Sequence, residues 1–163
     1  MTTAPLETEN LLLVVRSPAE VQAEIEAMPP VVKKELSAEW LQRIAAGTTA
    51  DLWLHGFALV HRGSGTLVGT AAFKAPPSAD GTVEIAYGVA PEHQGKGYAA
   101  EAARALTTFA FASGRVRLVR AHTRPEPNAS TRVLAKSGFR FVGQAVDPED
   151  GLVWRWEKAC DTT

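Results

Sequence analysis

The sequence predicts an α/β fold of the α+β kind, with a mixed, mostly antiparallel central sheet of about seven strands and helices on both faces. Seven short apolar runs bounded by glycine, proline and other turn residues are typical of strands. The alanine-rich segment Gly97–Ser113 repeats apolar residues at spacings of three and four, which predicts a long helix. Because this helix joins two of the strands, we expect those two to be the one parallel pair.

The first third of the chain predicts one strand and two helices. Leu11–Val15 reads as a short buried strand, and Ser17 and Pro18 then supply a helix cap and a proline at the first helical position. That helix should end at Pro29, and a second helix is predicted from about Ser37 to Gly47.

The middle of the chain predicts an antiparallel meander of three strands, Trp53–Val60, Thr66–Phe73 and Thr82–Val89. Glycine-containing turns at 62–65 and 75–81 separate the three strands. The meander is followed directly by the long helix.

The last third predicts a strand, a short helix and a closing hairpin. The strand is Val116–His122, which should lie parallel to the last strand of the meander. The short helix follows Asn128 and ends before Gly138, and the hairpin pairs Phe139–Val146 with Leu152–Trp156.

The composition fits one globular domain over residues 1–163. Hydrophobic residues make up 45% of the chain and charged residues 21%, and the net charge is −1. This balance offers no bulk attraction to nucleic acid or anionic lipid, and the longest apolar run is too short to span a bilayer. The single cysteine, Cys160, excludes an internal disulfide. Taken together, these features predict a cytoplasmic protein that binds neither nucleic acid nor membranes.

Residues Gln94–Ala99 form a Gly-x-Gly turn at the predicted start of the long helix. The helix N-terminus directs backbone N–H groups and partial positive charge to this point, and Lys96 adds a full charge. Gly95 and Gly97 have no side chains, so phosphate oxygens could approach the backbone closely. A phosphate site and a plain glycine-rich helix cap explain the turn equally well.

Two other phosphate motifs do not fit this stretch. The P-loop requires Ser or Thr after Gly-Lys, whereas Gly97 and Tyr98 follow Lys96. The dinucleotide fingerprint Gly-x-Gly-x-x-Ala fits in spacing, but it should follow its strand directly and precede an acidic residue by about 20 positions. Residues 91–94 intervene here and residues 117–122 contain no carboxylate, so we reject this interpretation.

Three segments resemble the GNAT superfamily of N-acetyltransferases. Gln94–Ala99 matches its Gln/Arg-x-x-Gly-x-Gly/Ala signature, and Asn128–Phe139 resembles its last helix with the Gly-Phe ending. Leu6–Leu13 resembles the opening of the branch that acetylates protein N-termini, notably those of ribosomal proteins. The predicted element order agrees with the family fold, so the resemblance implies one GNAT-type acyl-CoA N-acyltransferase domain.

This resemblance implies acetyl-CoA as cosubstrate, bound in a cleft where the two parallel strands splay. The backbone of Val89 would bond the pantetheine arm and polarise the thioester carbonyl, and Ser130 would lie beside the cofactor. Asn128 is assigned to the cofactor too, although a plain N-cap explains it equally well. The pyrophosphate would rest on Gln94, Gly95, Lys96, Gly97, Tyr98 and Ala99.

Acetyl transfer to an amine requires a base, because alkyl amines are protonated at neutral pH. Glu84 stands where many relatives carry a catalytic glutamate, and it shares a strand face with the small residues Ala86 and Gly88. An ion pair with an arginine would also explain Glu84. His122, at the end of the adjacent strand, is the second candidate base. The other histidines show no metal-ligand spacing, so no metal site is expected.

No general acid can be assigned for the departing thiolate. Many relatives place a tyrosine four residues before the glycine of Gly-Phe, a position that is Leu134 here. Tyr87 and Tyr98 are present, but strand alternation puts Tyr87 on the face opposite Glu84. Because thiol pKa values lie near 8.5, the thiolate could leave unprotonated.

The amine acceptor is either a protein N-terminus or a small amine, and the sequence leaves both open. Trp40, Trp53 and His55 are candidates for lining its pocket, and a homodimer is left open. Two other functions compete with transfer: a catalytically silent acyl-CoA sensor and, less favoured, an NAD(P)-binding oxidoreductase. Glu84 argues against the sensor, which would need no base.

Overall fold

The computed structural model describes residues 6–16, 18–27, 30, 53, 56–148 and 151–160. Within these ranges the strands are β1 (Leu6–Glu7), β2 (Leu11–Val15), β3 (Phe57–His61), β4 (Leu67–Phe73), β5 (Thr82–Val89), β6 (Leu118–Thr123), β7 (Arg140–Asp147) and β8 (Gly151–Ala159). The helices are α1 (Pro18–Ala27), α2 (Tyr98–Ala112) and α3 (Ala129–Lys136), and a 3₁₀ turn spans Pro91–His93.

These strands form a single sheet in the order β1-β2-β3-β4-β5-β6-β8-β7. β5 and β6 pair in parallel, starting with Thr82 beside Leu118, and the other described pairs are antiparallel. The predicted mixed, mostly antiparallel sheet with one parallel crossover is therefore confirmed. It has one strand more than expected, because Leu6 and Glu7 pair with β2 as a short edge strand.

The start of β3 differs from the prediction. The strand begins at Phe57 rather than Trp53, because Trp53 is helical and packs against Phe73 and Phe109, with ring centroids 4.6 and 5.4 Å away. Trp53 is therefore a core residue. The helix predicted at 37–47, which contains Trp40, lies outside the described residues, as does His55.

One face of the sheet builds the core with α2 and α3. The alanines Ala102, Ala103 and Ala110 of α2 are fully buried, and their small side chains let the helix lie close to the sheet. Strand residues buried in this core include Leu11, Leu13, Phe57, Leu59, Val68, Phe73, Val83, Ile85, Val119 and Ala121. α1 buries Val21 outside this cluster. No helix of the described residues is long and apolar enough to cross a membrane, and the cytoplasmic location stays a prediction.

The opposite face of the sheet carries a row of charged side chains, which we call the polar face. Strand alternation places these residues there because their neighbours in sequence point into the core. The members of the polar face are Lys74, Glu84, Arg120, His122, Arg155 and Glu157.

Glu101 in the first turn of α2 ties the N-terminal strands to that helix. Its carboxylate accepts hydrogen bonds from Thr8 Oγ1 at 2.6 Å, Asn10 N at 2.9 Å and Asn10 Nδ2 at 2.8 Å. Burial pushes the pKa of Glu101 upward, but these hydrogen bonds and the nearby Arg104 outweigh it, so the pKa lies below its usual value.

We expect Glu101→Gln to destabilise the fold by about 1–3 kcal/mol, because the amide accepts fewer hydrogen bonds than the carboxylate. A lowered folded pKa means that the carboxylate stabilises the fold above the ordinary range near pH 4.3 and loses this effect as pH falls through the folded pKa. The difference from wild type in chemical denaturation should therefore be full at pH 7 and shrink below about pH 4. Glu92→Gln, an exposed control, should change little; equal losses in both variants would contradict the assignment.

Candidate active site

The two parallel strands separate before they end. Their pairing runs from Thr82 beside Leu118 to Ile85 beside Ala121, whereas β5 continues to Val89. Beyond Ile85 the described part of β6 no longer accompanies β5, and a gap opens between them. The predicted splay of the parallel strands is thus present.

Backbone groups of β5 point into this gap. The even-numbered residues of β5 bond to β4, as shown by Lys74 N donating to Glu84 O at 2.9 Å and Ala90 N donating to Val68 O at 2.9 Å. The N–H and C=O groups of the odd-numbered residues therefore point toward β6. At Tyr87 and Val89 the β6 strand has diverged, so their backbone groups face the gap.

The Gly-x-Gly turn lies at one end of the gap. Gly95 and Gly97 have φ angles of 79° and 85°, in the left-handed region that glycine adopts without strain. Gly97 is the N-cap of α2. The N–H groups of the first turn of α2 therefore have no partner within the helix, and they point out of its N-terminal end beside Gly97. Gln94 Nε2 donates to Val89 O at 2.9 Å, which fastens the turn to the end of β5.

A groove of about 430 Å³ runs from this turn along β5 to α3. Seven of the residues assigned to the cofactor line it: Val89, Gln94, Gly95, Gly97, Tyr98, Ala99 and Ser130. Lys96 instead lines a smaller cavity of about 250 Å³ with His61 and His93. The assigned role of Lys96 in cofactor binding stays a prediction.

Asn128 caps α3. Its Oδ1 accepts from Thr131 N at 2.9 Å, and Thr131 Oγ1 accepts from Asn128 N at 3.0 Å, which is a capping box. The helix-cap interpretation is therefore confirmed. Asn128 does not line the groove described above, and a contact with the cofactor stays a prediction.

Among the groove-lining residues that the sequence did not assign to the cofactor are Tyr87, Arg132 and Lys136. Arg132 and Lys136 lie four residues apart on α3, so one helix face presents both cations to the groove. The four-residue spacing of these two cations is visible in the sequence and could have predicted a basic helix face beside the groove. Tyr87 was set aside because it lies opposite Glu84, yet that is the face on which the groove lies.

The Tyr87 hydroxyl is 3.1 Å from Ser130 Oγ, so β5 and α3 meet at a hydrogen-bonded pair on the groove wall. Burial raises the pKa of Tyr87, and the hydrogen bond with Ser130 offsets only part of this effect. The phenol is thus protonated at neutral pH and can donate a proton. Leu134, which occupies the position of the family tyrosine, is fully buried in the core.

On the polar face, Glu84 and His122 lie close together, as both were predicted near the cleft. His122 Nδ1 is 3.5 Å from Glu84 Oε2 and 3.3 Å from Asp147 Oδ2. Asp147 was not expected here, because it ends β7, far from both in sequence. Lys74 Nζ is 3.0 Å from Glu84 Oε2, and Arg155 Nε donates to His122 Nε2 at 3.1 Å.

Among the described residues, Glu84, His122 and Asp147 form the one His and carboxylate group close enough to hold a metal ion. Two protein cations, Lys74 and Arg155, already contact this group. The charges of the two carboxylates are therefore balanced within the protein, which suits an ion-pair network better than a divalent cation.

Comparison with known families agrees with this geometry. The fold is that of an acyl-group transferase, and residues 4–140 match the family model described as Acetyltransferase (GNAT) domain. The chain therefore belongs to the GNAT acetyltransferase family, whose members use acetyl-CoA. One curated relative is the uncharacterized N-acetyltransferase p20 of Bacillus licheniformis, 29% identical over 113 residues. The match covers 67% of this chain and 59% of that protein, so the chain spans less than two thirds of its length.

Solved structures resemble nearly the whole chain. A GNAT-family acetyltransferase from Bacillus anthracis is 22% identical, with a TM-score of 0.67, and the match covers 95% of this chain and 98% of that one. RimL, a ribosomal L7/L12 alpha-N-protein acetyltransferase in complex with coenzyme A, is 18% identical, with a TM-score of 0.70 and coverage of 98% and 100%. A ribosomal-protein-S5-alanine acetyltransferase from Vibrio fischeri is 17% identical, with a TM-score of 0.68 and coverage of 98% for both chains. At these identities the likeness shows the fold.

Proposed function

We propose that this protein transfers the acetyl group of acetyl-CoA to a primary amine, by direct attack of the amine on the thioester with Glu84 as general base. The observation that carries the proposal is the gap between β5 and β6, because the β5 residues beside it, Tyr87–Val89, also line the cofactor groove. A thioester in that gap would be held from one side of the sheet and attacked from the other.

The groove offers a continuous set of contacts for the donor. The turn at Gln94–Ala99 would hold the pyrophosphate on backbone N–H groups at the start of α2, with Arg132 and Lys136 supplying charge from α3. The pantetheine amides would pair with the exposed backbone of β5 at Tyr87 and Val89, in the manner of an added strand. The Val89 N–H would then polarise the thioester carbonyl.

The polar face supplies the acceptor side of the reaction. The ammonium form of an amine has no lone pair, so Glu84 would take its proton, directly or through water, before or as the nitrogen attacks the carbonyl carbon. The C–N bond forms and the C–S bond breaks as the nitrogen gives its second proton to the departing sulfur or to water, so that coenzyme A leaves as its thiol or its thiolate. Ala86 and Gly88 lie exposed on the same face and leave room for the acceptor.

The acceptor class is a protein N-terminus or a small amine. Two of the similar structures act on ribosomal proteins by their descriptions, which supports testing N-terminal peptides first. A silent acyl-CoA sensor would need the groove but not the balanced network around Glu84. Against an oxidoreductase, a 3₁₀ turn separates β5 from the glycine turn. A thermal-shift screen with acetyl-CoA, NAD and NADP, followed by thiol release with a panel of peptides and amines, separates the three.

We expect Gly97→Val to weaken coenzyme A binding at least tenfold, because its side chain would occupy the space that the pyrophosphate needs. Gly114→Val is a matched control: Gly114 also has a positive φ, 76°, and an added Cβ there meets nothing within 4 Å, as at Gly97. Both variants carry the same backbone strain, of about 1–3 kcal/mol. Calorimetric titration with coenzyme A should therefore separate them, and unchanged affinity in folded Gly97→Val would refute the placement.

We expect Glu84→Gln to lower kcat by roughly 10²–10⁴ while leaving coenzyme A affinity intact, since glutamine keeps the shape but cannot accept the proton. Steady-state thiol release gives kcat, and calorimetry gives the affinity. Glu126→Gln, at an exposed carboxylate that does not line the groove and is not a member of the polar face, controls for the loss of one charge. Full activity of Glu84→Gln would remove Glu84 from the base role.

We expect Tyr87→Phe to lower kcat by less than about tenfold, because the thiolate leaves readily without a proton donor. Since burial raises the pKa of Tyr87 above its ordinary value of 10.0, the wild-type rate should rise with pH and then stay level to about pH 10. Tyr98→Phe, at the glycine turn, is the control for losing a groove hydroxyl. A kcat loss of more than tenfold in Tyr87→Phe, together with a falling limb above pH 10 that this variant alone abolishes, would show that Tyr87 is an essential acid.

A further inference from the structure

The imidazole of His122 has both of its ring nitrogens facing charged groups. Its side chain is 8% exposed, and it stands on the polar face at the centre of contacts from β5, β7 and β8. Arg155 reaches Nε2 from β8, where it is the register partner of His122. Glu84 and Asp147 face Nδ1 from β5 and from the end of β7.

Arg155 determines which nitrogen of His122 carries the proton. A guanidinium N–H can only donate, so Nε2 must present its lone pair to the Arg155 Nε 3.1 Å away. A neutral imidazole that accepts at Nε2 carries its hydrogen on Nδ1. That Nδ1–H lies between Asp147 Oδ2 at 3.3 Å and Glu84 Oε2 at 3.5 Å.

The Nδ1 atom is buried and meets full hydrogen-bond geometry with neither carboxylate. An N–H group shared between two oxygens is expected to align imperfectly with each. It lies between the two carboxylates, and Lys74 Nζ contacts the same Glu84 oxygen, Oε2, at 3.0 Å. His122 has no free lone pair toward the gap, and so it is poorly placed to take the proton of an amine.

We propose that His122 acts as a neutral N–H donor that positions the Glu84 carboxylate, and that Arg155 and Asp147 hold it in this state. This rests on the proposed function for Glu84, and it assigns His122 a positioning role in place of the base role considered from the sequence. Asp147 also fixes the end of the β7–β8 hairpin against the polar face, which makes the hairpin a wall of the acceptor side.

The tautomer can be measured without any acceptor. Long-range ¹H–¹⁵N correlation spectra of protein labelled at histidine nitrogen should show His122 with its proton on Nδ1, the signals being assigned by their loss in His122→Asn or His122→Leu. Arg155→Met should release the lock, so that the Nε2–H tautomer or the doubly protonated ring appears. A wild-type ring protonated on Nε2, or a ring that Arg155→Met leaves unchanged, would overturn the proposal.

Activity then separates a donor from a base. His122→Asn keeps an N–H donor near the place of Nδ1 but cannot act as a base. His122→Leu keeps the bulk of the side chain but has neither an N–H donor nor a basic nitrogen. We expect His122→Asn to retain at least a third of kcat and His122→Leu to lose about 10- to 100-fold, since small misplacements of a reacting group cost up to about 10². KM for acetyl-CoA should not change in either variant.

Equal loss in His122→Asn and Glu84→Gln would make His122 a base, and full activity of His122→Leu would remove its role. Thermal denaturation of each variant shows whether it is folded at the assay temperature. If no amine is acetylated at all while the Nδ1–H tautomer is observed, the proposed transferase function fails and the tautomer assignment stands.

Discussion

The site depends on the point where β5 and β6 stop pairing. After Ile85 and Ala121, the backbone of β5 continues with no paired strand on that side among the described residues, and its half-buried N–H and C=O groups need partners. An extended ligand with amide groups can supply them, as water can. The loss of ladder hydrogen bonds at Tyr87 and Val89, in the middle of a sheet, thus creates a directional binding surface. The glycine turn and α3 can contribute to ligand binding because they line the same groove as the open part of β5.

This opening also explains how two chemically different environments serve one reaction. Strand alternation divides β5 into a face that builds the core with α2 and a polar face that carries Glu84. In an unbroken sheet these faces would not communicate. In the proposed reaction, a thioester held on the core side would come within reach of groups on the polar side where the strands part. On the polar side, the small and exposed residues Ala86 and Gly88 border the opening.

Local signals in the sequence predicted the elements that matter most. Apolar alternation, the Gly-x-Gly turn and the alanine-rich helix gave β5, the turn and α2 close to their observed bounds, because each depends on neighbouring residues alone. The seven-strand estimate missed β1, since Leu6–Glu7 is too short to show alternation and is held by pairing with β2. Trp53 was placed in a strand because an apolar run does not reveal whether tertiary packing against Phe73 will favour a helix.

The charge network on the polar face could not be predicted in the same way. A loop, helix α3 and strand β7 separate His122 from Asp147 in sequence. Only the folding of the β7–β8 hairpin brings the two side chains within 3.3 Å of each other. Register links Arg155 to His122, but register is a property of strand pairing and not of either segment.

Motif spacing therefore recovers residues that act through one loop or one helix, such as Gly95 and Gly97. It does not recover residues whose role is to hold another side chain in one protonation state, because these can come from any strand that reaches the same face. The protonation state of His122 follows from its partners and not from its residue type, so its candidate role changes from base to donor once the contacts of both ring nitrogens are known.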